Sequence, residues 1–438
     1  MNGATQVFNV PSDRKDTYGE ITTPYWLIEE MLNVLFSRLT ENEIVNFTFA
    51  DCAAGYGYFG ISLYHKLFNH PAMANVENRA KQIKSRIHLY EINEFHREEL
   101  VKFFGDTVHI QDFLTCDMSF NVVMGNPPYH INGIKKVPTN GIKDKKKDGR
   151  TIWMDFVSKA AEISDYVLMI TPSIWMKYGS IYKYLHIHSY TNTETNRIFK
   201  GKAQTPTCYF LMKTDAGGQI DMLENGLDAI EFVENWNIGK SIPLCGYSQI
   251  RTMERIREKY NLKSLKPIKT NCLSKKYSVS NKVDTFVNIK SAHMERRDGQ
   301  MVPVPILEYS HEPIPYSIPK VVCAHKMYGL PIADMSGQLG ISARDNYVFP
   351  VNDRRYAIYL QHYLHSDVVQ MIMNSARYRM KYLEKECWEW IPDIWEIPEV
   401  SEFDYGSSLC EYDGEFHIGI CERLNEFNEL IVKLSSNL

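Results

Sequence analysis

The segment Phe49-Ala50-Asp51-Cys52-Ala53-Ala54-Gly55-Tyr56-Gly57-Tyr58-Phe59 decides the fold. It starts in an apolar run suited to a strand and leads into Tyr58 to Phe68, where apolar residues recur at three- and four-residue spacing, as on one face of a helix. Glycines at 55 and 57 let the backbone turn tightly and approach a ligand closely, because no Cβ stands in the way. A plain strand-to-helix corner needs the same glycines. The turn by itself therefore admits two readings, a structural corner or a cradle for a nucleotide-like molecule.

Outward from this turn, apolar runs alternate with helical patterns from about residue 45 to about residue 213. Strands are predicted at Phe47 to Ala50, Ile87 to Glu91, Val108 to Gln111, Asn121 to Met124, Tyr166 to Ile170 and Thr207 to Met212. Helices are predicted at Trp26 to Phe36, Tyr58 to Phe68, Glu94 to Phe104 and Trp153 to Ile163. This is the pattern of an α/β protein with a doubly wound, mostly parallel sheet covered on both faces. After about residue 214 the alternation lapses at Gly217-Gly218, and prolines become frequent between Pro303 and Pro331. A second, mixed α+β domain is expected, with the division at 1–225 and 226–438. An amphipathic helix from Ile420 to Leu434 is expected to pack on its core.

The bulk properties exclude more than they assign. A chain of 438 residues with net charge -4 and pI near 6.4 has enough apolar content for two cores and no global attraction to nucleic acid. Charge is nevertheless uneven: residues 134–150 carry roughly +5, residues 240–389 about +9 and residues 390–438 about -9. The acidic tail hides a basic interior. Nine cysteines stand apart with no C-x-x-C and no Cys/His cluster at metal spacing, so reduced thiols and no metal are expected. Met1 to Lys15 lacks a signal-peptide pattern, and no run approaches the ~20 apolar residues of a membrane span. A soluble, cytoplasmic protein without a membrane partner is expected.

Three further segments carry chemistry. Tyr90-Glu91 ends the second predicted strand, where a carboxylate can accept both hydroxyls of a ribose. Gln111-Asp112-Phe113 ends the third, offering a carboxylate and a ring to an adenine moiety. The fourth strand runs through Gly125 into Asn126-Pro127-Pro128-Tyr129, where two prolines stiffen the turn and remove amide donors. Carbonyls in such a turn can converge on an amino group. An exocyclic amine of a base is a poor nucleophile because its lone pair is delocalised. Accepting its hydrogens on the Asn126 side-chain oxygen and the Pro127 carbonyl would stabilise the positive charge that develops on nitrogen, while Tyr129 would stack on the base.

These residues resemble the amino-methyltransferases of DNA, with the cofactor motif first, N-P-P-Y later and the target-recognition domain last, as in the N6-adenine enzymes of type II and type IIG restriction-modification systems. The resemblance is specific over the first half of the chain and loose over the second. It implies a Rossmann-like methyltransferase sheet, S-adenosyl-L-methionine as cofactor, double-stranded DNA as substrate, and a cognate restriction endonuclease encoded separately. Asp51, Ala53, Gly55, Gly57 and Phe59 fall on the family's D-P-A-C-G-x-G-x-F pattern, which departs here at Cys52 and Ala54. Glu91 matches the ribose-binding acid, and Asp112 with Phe113 match the residues that hold the cofactor adenine. Tyr18-Gly19-Glu20-Ile21-Thr22-Thr23-Pro24 is similar to the family's G-x-x-x-T-P segment, which makes Thr23 and Pro24 cofactor contacts. Gln204-Thr205-Pro206-Thr207 and Met169 to Ser173 resemble later segments to which no chemistry is assigned.

Competing readings share the turn. An RNA adenine N6 methyltransferase uses identical chemistry with a different recognition surface. Protein-glutamine methyltransferases activate a similar planar nitrogen but end soon after the sheet, whereas roughly 200 residues follow it here. A catalytically silent recognition subunit is disfavoured by an intact N-P-P-Y. Cytosine C5 methylation lacks a Pro-Cys turn, and a fused nuclease lacks both a preceding domain and a paired-acid E-x-K motif. Basic residues that could hold nucleic acid lie in the insert Lys135 to Arg150 and at Lys275-Lys276-Tyr277, Arg296-Arg297, His325 to Tyr328, Arg344 to Tyr347, Arg354-Arg355-Tyr356 and Arg377-Tyr378-Arg379.

Overall fold

The computed structural model describes residues 21–130, 151–178, 184–201, 203, 205–214, 220–224, 230–233, 241–271, 274–324, 331–379, 382–406 and 410–436. The segments at 18–20, 135–150, 204, 217–218 and 325–328 singled out above lie outside the described residues. The chain packs as two units, Met1–Lys240 and Ser241–Leu438.

The first unit opens with α1 (Tyr25–Phe36), whose buried stripe of Leu27, Ile28, Met31, Leu32 and Leu35 follows helical spacing. A short α2 (Glu41–Asn46) starts at a capping box in which Thr40 and Glu43 satisfy each other's backbone amides. Then come β1 (Phe49–Asp51), α3 (Tyr58–Phe68), α4 (Arg79–Lys84), β2 (Ile87–Tyr90), α5 (Arg97–Phe104), β3 (Val108–His109), β4 (Phe120–Gly125), α6 (Trp153–Ile163), β5 (Ser164–Pro172), β6 (Tyr184–Tyr190), α7 (Asn192–Ile198), β7 (Thr207–Lys213), β8 (Ile220–Glu224) and β9 (Ile230–Val233). They form one nine-stranded sheet in the order β3-β2-β1-β4-β5-β7-β6-β8-β9.

β1 to β5 are mutually parallel, and β7 runs antiparallel between β5 and β6. Alternate residues serve opposite faces. Phe49, Ile87, Leu89, Val122, Met124 and Leu168 share a core with α1 and α3, while Tyr90 meets both Phe120 and Phe113, and Phe113 stacks on Phe156 of α6. Burial on both faces explains why these strands read as continuous apolar runs. Strand order reverses between β1 and β4, which opens a crevice at their carboxyl ends, the usual seat of a ligand in such sheets.

β6 has no apolar run and its sequence, Tyr-Leu-His-Ile-His-Ser-Tyr, does not announce a central strand. Its buried His188 is answered from α1: Glu30 Oε1 lies 2.7 Å from His188 Nδ1 and accepts the Tyr209 hydroxyl at 2.8 Å. Burial alone would raise Glu30, yet these partners hold its carboxyl below the ordinary value. β8 and β9 extend the same sheet past the point where alternation lapses.

The second unit contains α8 (Tyr247–Tyr260) and a six-stranded sheet with order β10-β16-β13-β14-β17-β18. Its strands are β10 (Ile268–Asn271), β13 (Lys320–Cys323), β14 (Pro331–Asp334), β16 (Arg344–Pro350), β17 (Glu411–Tyr412) and β18 (Phe416–His417). A three-stranded sheet, β12-β11-β15, combines β11 (Phe286–Arg297), β12 (Gln300–Ser310) and β15 (Gly340–Ile341). Pro303 and Pro305, which suggest irregular chain in the sequence, sit in β12, an edge strand where a missing amide costs no ladder bond. Helices α9 (Arg354–His365), α10 (Asp367–Ser375) and α11 (Leu424–Ser436) complete the unit, the last burying Phe427, Ile431 and Leu434. It is a mixed α+β body. The eight described cysteines are all buried and free, and no described helix is long and apolar enough to cross a membrane.

Candidate active site

The β1–α3 turn is held from below by hydrogen bonds among its own parts. Gly57 caps α3 in the left-handed region (φ 80°), a conformation that favours glycine, and a Cβ there would come within 2.6 Å of Leu100 Cδ2 and push that side chain aside. Gly55 is also left-handed (φ 52°), but a Cβ there would meet no atom within 4 Å. Its backbone faces open space. Phe59 turns into the core, and Ala53 is half-buried with its amide donating to Asp51 Oδ1 at 3.2 Å.

Glu91, at the end of β2, takes the Gly55 amide on Oε2 at 2.7 Å and the Asn93 amide on Oε1 at 2.8 Å. It ties the glycine turn to the neighbouring strand. A carboxylate oxygen can accept more than one hydrogen bond, the property that recognition of paired hydroxyls requires. Ile92, the next residue, is 56% exposed, an apolar side chain beside the acid that the sequence reading passed over. The signal was an apolar residue directly after a strand-ending acid.

Asp51 is 1% exposed, and its Oδ2 has no hydrogen-bond partner among the described residues. Burial pushes its carboxyl up to about 7, with the nearby Glu91 charge adding to the rise. A buried acceptor of this kind suits a cationic or amino-bearing ligand. Asp112 is exposed and spends Oδ1 on the Leu114 amide at 2.9 Å. Phe113 is only 1% exposed, its ring taken up by Tyr90 and Phe156, so in this structure it supports the pocket wall.

β4 delivers Asn126 to the same crevice. Asn126 Nδ2 lies 3.1 Å from Thr23 Oγ1 and 3.3 Å from the Ile21 carbonyl. A carbonyl can only accept, so the amide nitrogen must face Ile21 and the side-chain oxygen Oδ1 is the end turned away. Pro24 caps α1 in an extended conformation, which places Thr23 under the turn. Pro127 is buried, Pro128 and Tyr129 are half-buried, and the Tyr129 carbonyl accepts the Ile152 amide at 3.2 Å. Gly125 has φ 143°, and a Cβ there would lie 2.9 Å from Asp51 Oδ1 and 3.0 Å from Cys52 Sγ. The Asn126-Pro127-Pro128-Tyr129 turn and the β1–α3 turn thus touch through a glycine.

The structure therefore gathers Thr23, Asp51, Gly55, Glu91 and Asn126 around the ends of β1, β2 and β4. Asp112 and Phe113 follow β3, one strand further out. Among the described residues no group of three or more His, Cys, Asp or Glu is placed to hold a metal ion.

No curated protein sequence matches the chain. Solved structures similar in part include the type I restriction enzyme EcoKI M protein, with 14% identity over 46% of this chain and 48% of that one at a TM-score of 0.35. Another is the type I restriction-modification methyltransferase subunit from Streptococcus thermophilus, with 14% identity over 48% of each chain at 0.32. The chain spans about half the length of these proteins, and at such scores the likeness carries no functional weight. Residues 37–204 match the model of the Eco57I restriction-modification methylase family. That stretch, under half of the chain, holds the glycine turn, Glu91 and Asn126-Pro127-Pro128-Tyr129, and it is similar to the methylase domain of that family.

Proposed function

We propose that this protein methylates the N6 amine of adenine in double-stranded DNA. The observation that supports the reading is the pair of bonds from Asn126 Nδ2 to Thr23 Oγ1 and the Ile21 carbonyl, which fix the side-chain oxygen as the end turned away from both partners. Bound S-adenosylmethionine supplies an electrophilic methyl group. Gly55 gives it open backbone, Glu91 gives it a carboxylate fixed beside the turn, and Asp51 gives it a buried acceptor.

The chain's own residues do the remaining work. Asn126 Oδ1 and the Pro127 carbonyl accept the two amine hydrogens, favouring pyramidal nitrogen and spreading the positive charge that forms there. Tyr129 offers a ring against which the base can stack. Because N6 is buried in a duplex, the target adenine has to leave the stack, and the second unit is the element that would recognise its sequence. A restriction endonuclease on a separate chain would be its natural counterpart.

Transfer of a labelled methyl group to duplex DNA, RNA or protein, followed by nucleoside analysis, tests the proposal. N6-methyladenine in DNA is expected. N4-methylcytosine would refute the base assignment, and label in RNA alone would refute the substrate.

A further inference from the structure

Seven lysines fall between Lys259 and Val283 with no Asp or Glu among them. We propose that this stretch is the surface on which the second unit holds the phosphate backbone of duplex DNA, an inference that rests on the function proposed above. The stretch runs from the last turn of α8, through β10, to the loop before β11. Lys259, Lys263, Lys266, Lys269, Lys276 and Lys282 are all exposed.

Two of the six have a sufficient structural reason. Lys259 complements the carboxyl end of α8, and Lys269 protects β10, the outermost strand of its sheet, from pairing with another chain. Lys263, Lys266, Lys276 and Lys282 lie on loops and a short 3-10 turn, where neither reason applies, and none of them enters an ion pair among the described residues. The backbone of the acidic tail lies against the start of the stretch, with the Leu265 amide on the Ile391 carbonyl and the Asp393 amide on the Lys263 carbonyl, but among the described residues no carboxylate of the tail forms an ion pair with these four lysines. Glu411 pairs with Arg354, Asp404 with Arg423 and Asp413 with His417, while Asp393 accepts from Tyr356 and Tyr359.

The other basic clusters of this unit are poorer candidates. Tyr378 is buried with its hydroxyl on the Ile242 carbonyl, and Arg377 is 9% exposed. Arg297 pairs with Glu295, and Arg354 with Glu411. Around the lysines, by contrast, Asn261, Asn271, Ser278 and Asn281 are exposed, the neutral side chains that commonly accompany lysine on phosphates.

The test is binding of the full-length chain to duplexes of unrelated sequence over a range of KCl concentrations. In a variant carrying K263Q, K266Q, K276Q and K282Q, affinity should fall at least about tenfold for every duplex, and the slope of log K against log salt should flatten by about three to four. Cofactor affinity and melting temperature should hold, and the corresponding all-arginine variant should keep the wild-type slope. Wild-type binding that the four glutamines leave unchanged overturns the surface alone. Binding of single-stranded RNA in preference to duplex, with the same lysine dependence, overturns the assignment to DNA. A wild-type chain that binds no nucleic acid overturns this inference, while methyl transfer to protein in that case would identify failure of the function it rests on.

Discussion

Replacing Thr23 by valine keeps the shape of the side chain and deletes the oxygen that Asn126 Nδ2 donates to at 3.1 Å. One amide hydrogen is then left facing a methyl group. A donor stranded in this way costs about 1–3 kcal/mol when buried. Asn126 is half-buried, which places the loss near 1–1.5 kcal/mol, equivalent to roughly a five- to tenfold drop in rate if it falls wholly on the geometry used in methyl transfer. The drop should not be larger, because the Ile21 carbonyl still disfavours the flipped amide. The measurement is the single-turnover rate of transfer to duplex DNA at saturating cofactor, with cofactor affinity determined separately by calorimetry. Thr23→Ser should recover most of the rate. A valine variant that transfers at the wild-type rate, or one whose defect disappears at saturating cofactor, would refute the argument and make Thr23 a cofactor contact only.

Other perturbations read different parts of the site. Gly125→Ala should lower the unfolding free energy by at least about 2 kcal/mol, since the new Cβ meets Asp51 in a backbone conformation alanine resists; an unchanged denaturant midpoint would contradict the close approach. Glu91→Gln replaces one of two acceptor oxygens with a donor that faces a backbone amide, and cofactor dissociation constants should rise roughly 10- to 100-fold by calorimetry. Asp51 has its folded value raised from 3.8 to about 7, so the folded chain keeps a proton that the unfolded chain releases first. Its contribution makes the ligand-free protein less stable as pH climbs from about 4 to about 7, by on the order of 4 kcal/mol, and level above that. Asp51→Asn should remove that slope in a pH series of urea unfolding curves; a difference from wild type that does not vary with pH would count against a buried, proton-holding Asp51.

Much of the first unit can be read from its residues because its elements are locally determined. α3 and α6 begin and end where apolar spacing says they should, and β1, β2, β4 and β5 lie within two residues of their predicted limits. β6 escapes such reading because its histidines look solvent-facing, and the partner of His188, Glu30, comes from a helix about 160 residues earlier. Short elements such as α2 and α4 offer too few turns for a periodicity. β12 is concealed by prolines that only its edge position makes harmless. In the site, the glycine turn, Glu91 and the N-P-P-Y turn are visible as motifs, but the Thr23–Asn126 bond and the need for glycine at 125 are not. Both arise from contacts between residues far apart in the chain, and no local pattern encodes them.

The absence of a side chain at Gly125 leaves the Asp51 carboxylate directly against the backbone that carries Asn126. No cushion of side-chain rotamers separates the two positions proposed to seat the substrates. A displacement of that carboxylate, or a change in its protonation on ligand binding, must be taken up by the β4 terminus. Thermodynamic reciprocity then makes the relation mutual: whatever factor the first substrate applies to the affinity of the second, the second applies to the first. Under the proposed function, the enzyme would sense through one glycine whether the methyl donor is in place before it commits an extruded base.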